Sequence, residues 1–219
     1  EALRSLEQLE PALLVQHADA LVARLEDSRK NVRALALETL LKLEPATLML
    51  HACDVFATLR HETSLEVLTM GDQVWDLLEP AFVAQHVHIV LARLEDSRAN
   101  VRLAALGILE LLEPAMLAQH ADSVLTRLED SETHVRWTAL STLCKLEPAT
   151  LAQYADAVLA RLGDTGLNKY YEHYVRALAL NTLGILEPAK LAEYADAVLA
   201  TLNDLSLIHI SEPTRLSTI

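Results

Sequence analysis

Apolar residues recur along most of the chain at intervals of three and four, which is the spacing of one buried helix face. After Pro114 the apolar positions are Leu117, Ala121, Val124, Leu125 and Leu128. After a polar break at 129–131 they are Val135, Ala139, Leu140, Leu143 and Leu146. The pattern therefore predicts two amphipathic helices, with Ser and Asp in the break available to cap the second. Because the connection is short, the two helices are expected to lie antiparallel.

This two-helix pattern is repeated, and each copy opens with the motif Leu-Glu-Pro. The prolines of the motif are 34, 35, 34, 34 and 40 residues apart, at Pro11, Pro45, Pro80, Pro114, Pro148 and Pro188. Proline suits the first turn of a helix, where its missing N–H has no partner to lose. Such self-similarity predicts an all-α fold, an αα-superhelix in which neighbouring repeats cover each other's apolar faces. We expect five full repeats, at 11–44, 45–79, 80–113, 114–147 and 148–187, and partial repeats at 1–10 and 188–204.

Both ends of the chain depart from this pattern. Residues 1–10 align with the end of a second helix, so the chain is expected to be a fragment of a longer array. After Asp204 the repeat breaks off, and residues 205–219 resemble the translated end of a sequencing-library adapter. We interpret this stretch as a non-native tail; a natural C-terminal cap is the alternative. Terminal repeats without polar caps expose apolar faces, which predicts end-to-end self-association.

Charge and candidate chemistry narrow the function classes. The formal net charge of −13 argues against a nucleic-acid partner, which needs a concentrated basic surface. The longest apolar stretches fall well short of the ~20 residues that span a bilayer, so no membrane insertion is expected. The sequence contains no Gly-rich phosphate loop, nucleophile elbow or Cys-x-x-Cys motif. Cys53 and Cys144 are expected to be reduced thiols in different repeats.

A recurring histidine is the strongest hint of a metal site. It stands six residues after the first four prolines, and tyrosine takes its place in the last two repeats: His17, His51, His86, His120, Tyr154 and Tyr194. Equivalent residues of stacked repeats lie about 10 Å apart, far beyond a Zn–N bond of about 2 Å. We therefore expect a boundary role, with the apolar body inward and the polar tip outward. The prediction is a non-enzymatic protein without catalytic residues, metal or cofactor.

The repeated pattern of Pro, Leu-x-x-Leu, Asp and Val-Arg-x-Ala-Leu resembles HEAT repeats, an armadillo-type helical solenoid, over residues 1–204. In HEAT repeats the Asp of the turn and the Arg of the second helix form a ladder that ties each layer to its neighbour. The resemblance implies four such pairs, Asp27–Arg33, Asp96–Arg102, Asp130–Arg136 and Asp164–Arg176. In repeat 45–79 these two places are taken by His61 and Leu68, so an interruption of the ladder is expected there.

The resemblance also implies a binding groove, because the second helices of HEAT-like solenoids line the concave face. Residues of the second helices that vary between repeats are expected to be exposed, Ala34 and Leu103 among them. The candidate partner-binding residues are Leu103, His134, Trp137, Tyr170, Tyr171 and Tyr174. We expect a protein-interaction scaffold that binds a peptide or partner domain. The alternatives are a HEAT-like lyase or chaperone module that grips a chromophore-bearing subunit, and a structural spacer of a longer array.

Overall fold

The computed structural model describes residues 11–161, 179–184, 186, 188–196 and 199. Every regular element within these ranges is helical. The α-helices are α1 (Pro11–Leu14), α2 (Ala18–Arg24), α3 (Lys30–Leu40), α4 (Pro45–Leu59), α5 (Leu65–Asp76), α6 (Pro80–Gln85), α7 (Val87–Arg93), α8 (Ala99–Leu109), α9 (Pro114–Ala118), α10 (Ala121–Leu125), α11 (Thr133–Leu143), α12 (Pro148–Leu151), α13 (Ala155–Ala160) and α14 (Pro188–Glu193). The predicted all-α fold class is confirmed, and the described helices recur as pairs in which the first helix begins at a proline.

A proline opens the first helix of each repeat, as the sequence predicts. The glutamates before Pro45, Pro80, Pro114 and Pro148 have ψ between 140 and 145°, outside the helical region. Proline excludes the α conformation from the residue before it, so the preceding second helix has to end there. The Leu-Glu-Pro motif thus both ends one repeat and begins the next.

The first helix of most repeats is interrupted near its middle. The residue at the break is His17, His86 or Tyr154, with φ between −105 and −114° and ψ between 4 and 15°. By contrast, α4 runs unbroken for 15 residues. The histidine and tyrosine positions identified in the sequence therefore mark a bend in the first helix, except in repeat 45–79.

The chain divides into two compact units, Glu1–Ser123 and Val124–Ile219. In the first unit the second helices bury Leu37, Leu40, Leu106 and Leu109 completely. In the second unit α11 and the residues after it bury the predicted stripe, Val135, Ala139, Leu140, Leu143 and Leu146. Among the helices that the structure describes, none is long and apolar enough to cross a bilayer.

Candidate functional site

Repeat 45–79 departs from its neighbours on the inward side of its second helix. Counted from the acidic residue of the turn, α3, α8 and α11 carry Ala, Leu and, three residues later, Leu, all of them buried: Ala36, Leu37, Leu40, Ala105, Leu106, Leu109, Ala139, Leu140 and Leu143. In α5 the same three positions are Gly71, Asp72 and Trp75. Asp72 is exposed, and Trp75 is 38% exposed. This repeat therefore lacks two leucine side chains that α3, α8 and α11 bury.

These changes accompany a cleft of about 290 Å³ lined by residues of α4, α5 and α8. The Trp75 ring stacks on Phe56, with centroids 4.0 Å apart and an interplanar angle of 24°. Both glycines lie against large side chains: a Cβ on Gly71 would lie 2.6 Å from Leu59 Cδ1, and one on Gly107 would lie 4.0 Å from Trp75 Cη2. We call this site, built around Phe56, Leu59, Gly71, Asp72, Trp75 and Gly107, the Trp75 cleft.

Charged side chains stand at the edges of the Trp75 cleft. Arg60 and Asp72 both line it, and Asp76 lies one helical turn beyond Asp72, also exposed. Over the described part of the chain, these three side chains form no ion pair or hydrogen bond. The cleft therefore combines an apolar wall with a rim of charges that remain available to a partner.

Leu103 is expected on the exposed surface, but the structure shows it only 6% exposed. It lies on α8 one turn before Gly107 and forms part of the wall of the Trp75 cleft, which also includes Phe56 and Leu59 of α4. Packing of α8 along α4 is the physical reason for its burial. Ala34 is also buried, at 7% exposure, because α3 packs against α5.

In the second compact unit, the described candidate residues are His134 and Trp137 on α11. His134 is half-buried and Trp137 is 42% exposed. Three residues apart on a helix, they are neighbours on one side of it. Tyr170, Tyr171 and Tyr174, and the pair Asp164–Arg176, lie outside the described residues, as does the tail 205–219.

The expected ladder pairs meet within a repeat, and the contact is between a guanidinium and the backbone. Nη1 of Arg33, Arg102 and Arg136 donates to the carbonyl oxygen of the turn aspartate at 2.8–2.9 Å, for Asp27, Asp96 and Asp130 respectively. The aspartate carboxylates instead accept a backbone N–H two residues on, at 2.9 Å in each case. These bonds hold the turn in place at the N-terminus of the second helix.

Repeat 45–79 keeps an acidic turn residue, which corrects the expectation that His61 replaces it. Glu62 lies at the equivalent place, two residues before the N-cap of α5, because α4 and its turn contain the extra residue. Arg33 Nε and Nη2 donate to the two carboxylate oxygens of Glu62 at 2.6 and 2.9 Å. The Arg33 guanidinium is the main reason why the pKa of Glu62 is lowered to about 2. The bidentate pair therefore joins repeats 11–44 and 45–79, where the sequence predicts an interruption.

A second inter-repeat contact centres on Asp54, which is buried in α4. Its carboxylate pairs with Arg93 at 3.1 Å and with Arg98 at 2.5 Å, both from repeat 80–113. Arg98 also pairs with Asp96 at 3.1 Å, and these carboxylates raise the pKa of Arg98. The sequence analysis did not identify this cluster, because only the packing of α4 against the next repeat brings the four residues together.

The recurring histidine and tyrosine positions also make contacts between repeats. His51 Nδ1 lies 3.7 Å from Asp19 Oδ1, and Tyr194 donates its hydroxyl to Asp156 Oδ1 at 2.9 Å. The hydrogen bond to Asp156 is the main reason why the pKa of Tyr194 is raised. Within the described ranges, no group of three or more His, Cys, Asp or Glu side chains is arranged to hold a metal ion.

Comparison with known proteins shows a likeness in structure and no match in sequence. No protein-family model matches the sequence, and no curated protein does. A solved structure of a designed armadillo repeat protein is similar, with a TM-score of 0.49 and 12% sequence identity over 90% of this chain and 93% of that chain. The helix pairs described above give this chain an all-α fold built from repeated helix pairs.

Proposed function

We propose that this protein is a non-catalytic scaffold that binds a peptide or partner domain through the exposed sides of its second helices. The observation that carries the proposal is that both tryptophans of the chain lie on second helices and are exposed. Trp75 is 38% exposed to solvent, and Trp137 is 42% exposed. Tryptophan is highly buried on average, and it is enriched among the residues that dominate binding energy at interfaces.

The other candidate partner-binding residues differ in what the structure shows of them. His134 is a neighbour of Trp137 on α11, and Leu103 contributes to the wall of the Trp75 cleft rather than to an open surface. Tyr170, Tyr171 and Tyr174 stay predicted contacts. A net charge of −13 favours a protein partner over a nucleic acid.

The proposal is tested by quantitative pull-down with wild-type protein and two variants, Trp75→Ala and Trp137→Ala. Leu50→Ala is the matched control, because Leu50 is 45% exposed but lies on a first helix. We expect one set of proteins to be recovered with wild type and Leu50→Ala and to be lost with a tryptophan variant. Equal recovery with all four proteins would refute the proposal, and far-UV circular dichroism checks that the variants are folded.

A further inference from the structure

The volume of the Trp75 cleft suits one bound side chain. Its volume of about 290 Å³ lies just below the ~300–1,000 Å³ of typical small-molecule pockets. Phe56, Leu59 and Trp75 provide an apolar wall on one side, and Leu103 and Ala104 provide one on the other. Such a cleft accommodates a single apolar side chain more readily than a chromophore.

The cleft exists because α5 differs from α3, α8 and α11 at the position of Asp72. The position of Asp72 is occupied by leucine in α3, α8 and α11, at Leu37, Leu106 and Leu140, and each of these is fully buried. A carboxylate cannot take over that buried place without a partner, so Asp72 lies in solvent at the edge of the cleft. Departures from a local packing rule are expected where function demands them.

The charges around the cleft select among apolar partners. Asp72 and Asp76 are four residues apart on α5, where like charges repel. Among the described residues no cation pairs with either of them, and the whole chain carries a net charge of −13. Arg60 is the cationic side chain in the lining of the cleft. A positive charge beside the bound apolar side chain would relieve the repulsion on α5.

We infer that the Trp75 cleft binds a segment of a partner protein in which a bulky apolar side chain is followed by Lys or Arg. The apolar side chain enters the Trp75 cleft and lies against the Phe56–Trp75 stack. The cation pairs with Asp72 and Asp76 at the rim. This inference rests on the proposed function, and it specifies the chemistry of the segment that one site of the scaffold recognises.

The experiment uses Trp75 as its own reporter. The chain has two tryptophans, so the full chain carrying Trp137→Phe leaves Trp75 as the single indole. Four synthetic peptides, identical except at two central residues, carry Leu-Lys, Leu-Glu, Ala-Lys or Ala-Glu there. The Leu-Lys peptide is expected to change Trp75 emission with an affinity at least about tenfold above the other three. Absence of any emission change up to about 1 mM Leu-Lys peptide overturns the inference, as does equal binding of all four.

Two substitutions at Asp72 separate binding from folding. Asp72→Leu restores the residue of the other repeats, so it is expected to fill the cleft, raise the urea midpoint and abolish binding of the Leu-Lys peptide. Asp72→Asn keeps the cleft open and removes one charge, so it is expected to reduce the preference for Lys over Glu about tenfold. Gln73→Leu, a neighbouring exposed position on α5, is the control and should bind like wild type. Binding of the Leu-Lys peptide by Asp72→Leu with unchanged affinity would contradict the inference.

Failure of the inference and failure of the proposed function give different results. If no peptide distinguishes the Asp72 variants but Trp137→Ala still loses protein partners in pull-down, the scaffold function stands and the Trp75 cleft is not its recognition site. If neither tryptophan substitution changes the recovered partners, the proposed function itself is wrong.

Discussion

Substitution of Glu62 by Gln tests how much the contact between repeats 11–44 and 45–79 contributes to stability. The Glu62 side chain is 4% exposed and receives two hydrogen bonds from Arg33. Its Oε1 also accepts the backbone N–H groups of Thr63 and Ser64, at 2.8 and 2.7 Å. Gln keeps an oxygen for the backbone donors but places an NH2 group where Oε2 was, so the variant removes both the charge and the hydrogen bond that Arg33 Nε donates.

The magnitude follows from the pKa of Glu62, which falls from 4.5 to about 2. The Arg33 hydrogen bonds are the largest cause; burial opposes them, and the N–H groups of Ser64 and Thr63 add to them. A lowered folded pKa means stability that is present above pH 4.5 and is lost as the pH falls towards 2. The full shift corresponds to roughly 3 kcal/mol, and screening by water in an open cavity that Arg33 and Glu62 line reduces the expected contribution of Glu62 to about 2 kcal/mol.

Urea denaturation followed by far-UV circular dichroism measures the effect. At pH 7, Glu62→Gln is expected to unfold at a lower urea concentration than wild type, and the difference is expected to shrink between pH 4.5 and about 2. Glu38→Gln, an exposed glutamate on α3, is the control and should follow wild type at every pH. A difference between Glu62→Gln and wild type that is the same at pH 7 and near pH 2 would show that the charge is not its source.

Three further predictions concern buried groups and one helix. Asp54→Asn removes one of the two carboxylates that Arg93 and Arg98 share, so the free energy of unfolding in urea is expected to fall by about 2 kcal/mol, whereas Asp72→Asn should have little effect. Burial raises the pKa of the Cys53 thiol to about 12, so a thiol reagent at pH 8 should modify Cys53 only after unfolding; rapid labelling of Cys53 in folded protein carrying Cys144→Ser would disprove this. Gly107→Ala should stabilise α8 by up to about 1 kcal/mol, because the added Cβ meets only Trp75 at 4.0 Å; a lower urea midpoint would contradict it.

The helix pairs could be predicted because their signals are local. The apolar spacing of three and four, the proline at the first turn and the acidic residue before each second helix act within a few residues of one another. Repetition adds to these signals, since each copy of the pattern is an independent observation of the same element. The buried stripe of α11 and the helix starts at Pro45, Pro80, Pro114 and Pro148 accordingly agree with the sequence analysis.

The contacts between repeats were harder to predict. One extra residue in repeat 45–79 shifts the alignment, so that His61 stands where the count expects an aspartate while Glu62 occupies its place in space. Leu103 varies between repeats, as surface residues do, yet the packing of α8 along α4 buries it. Variation of a position between repeats therefore does not by itself establish that its side chain is exposed.

By itself, the sequence determined the all-α class, the period of the repeat and the buried stripe of α11, because each of these is recorded in a local pattern of residues. The tertiary structure decided which side chains meet across repeats. Arg33 reaches Glu62 over 29 residues of chain, and Arg98 reaches Asp54 over 44. The Trp75 cleft belongs with these contacts, since a missing leucine in α5 becomes an open site only where α4 and α8 form its walls.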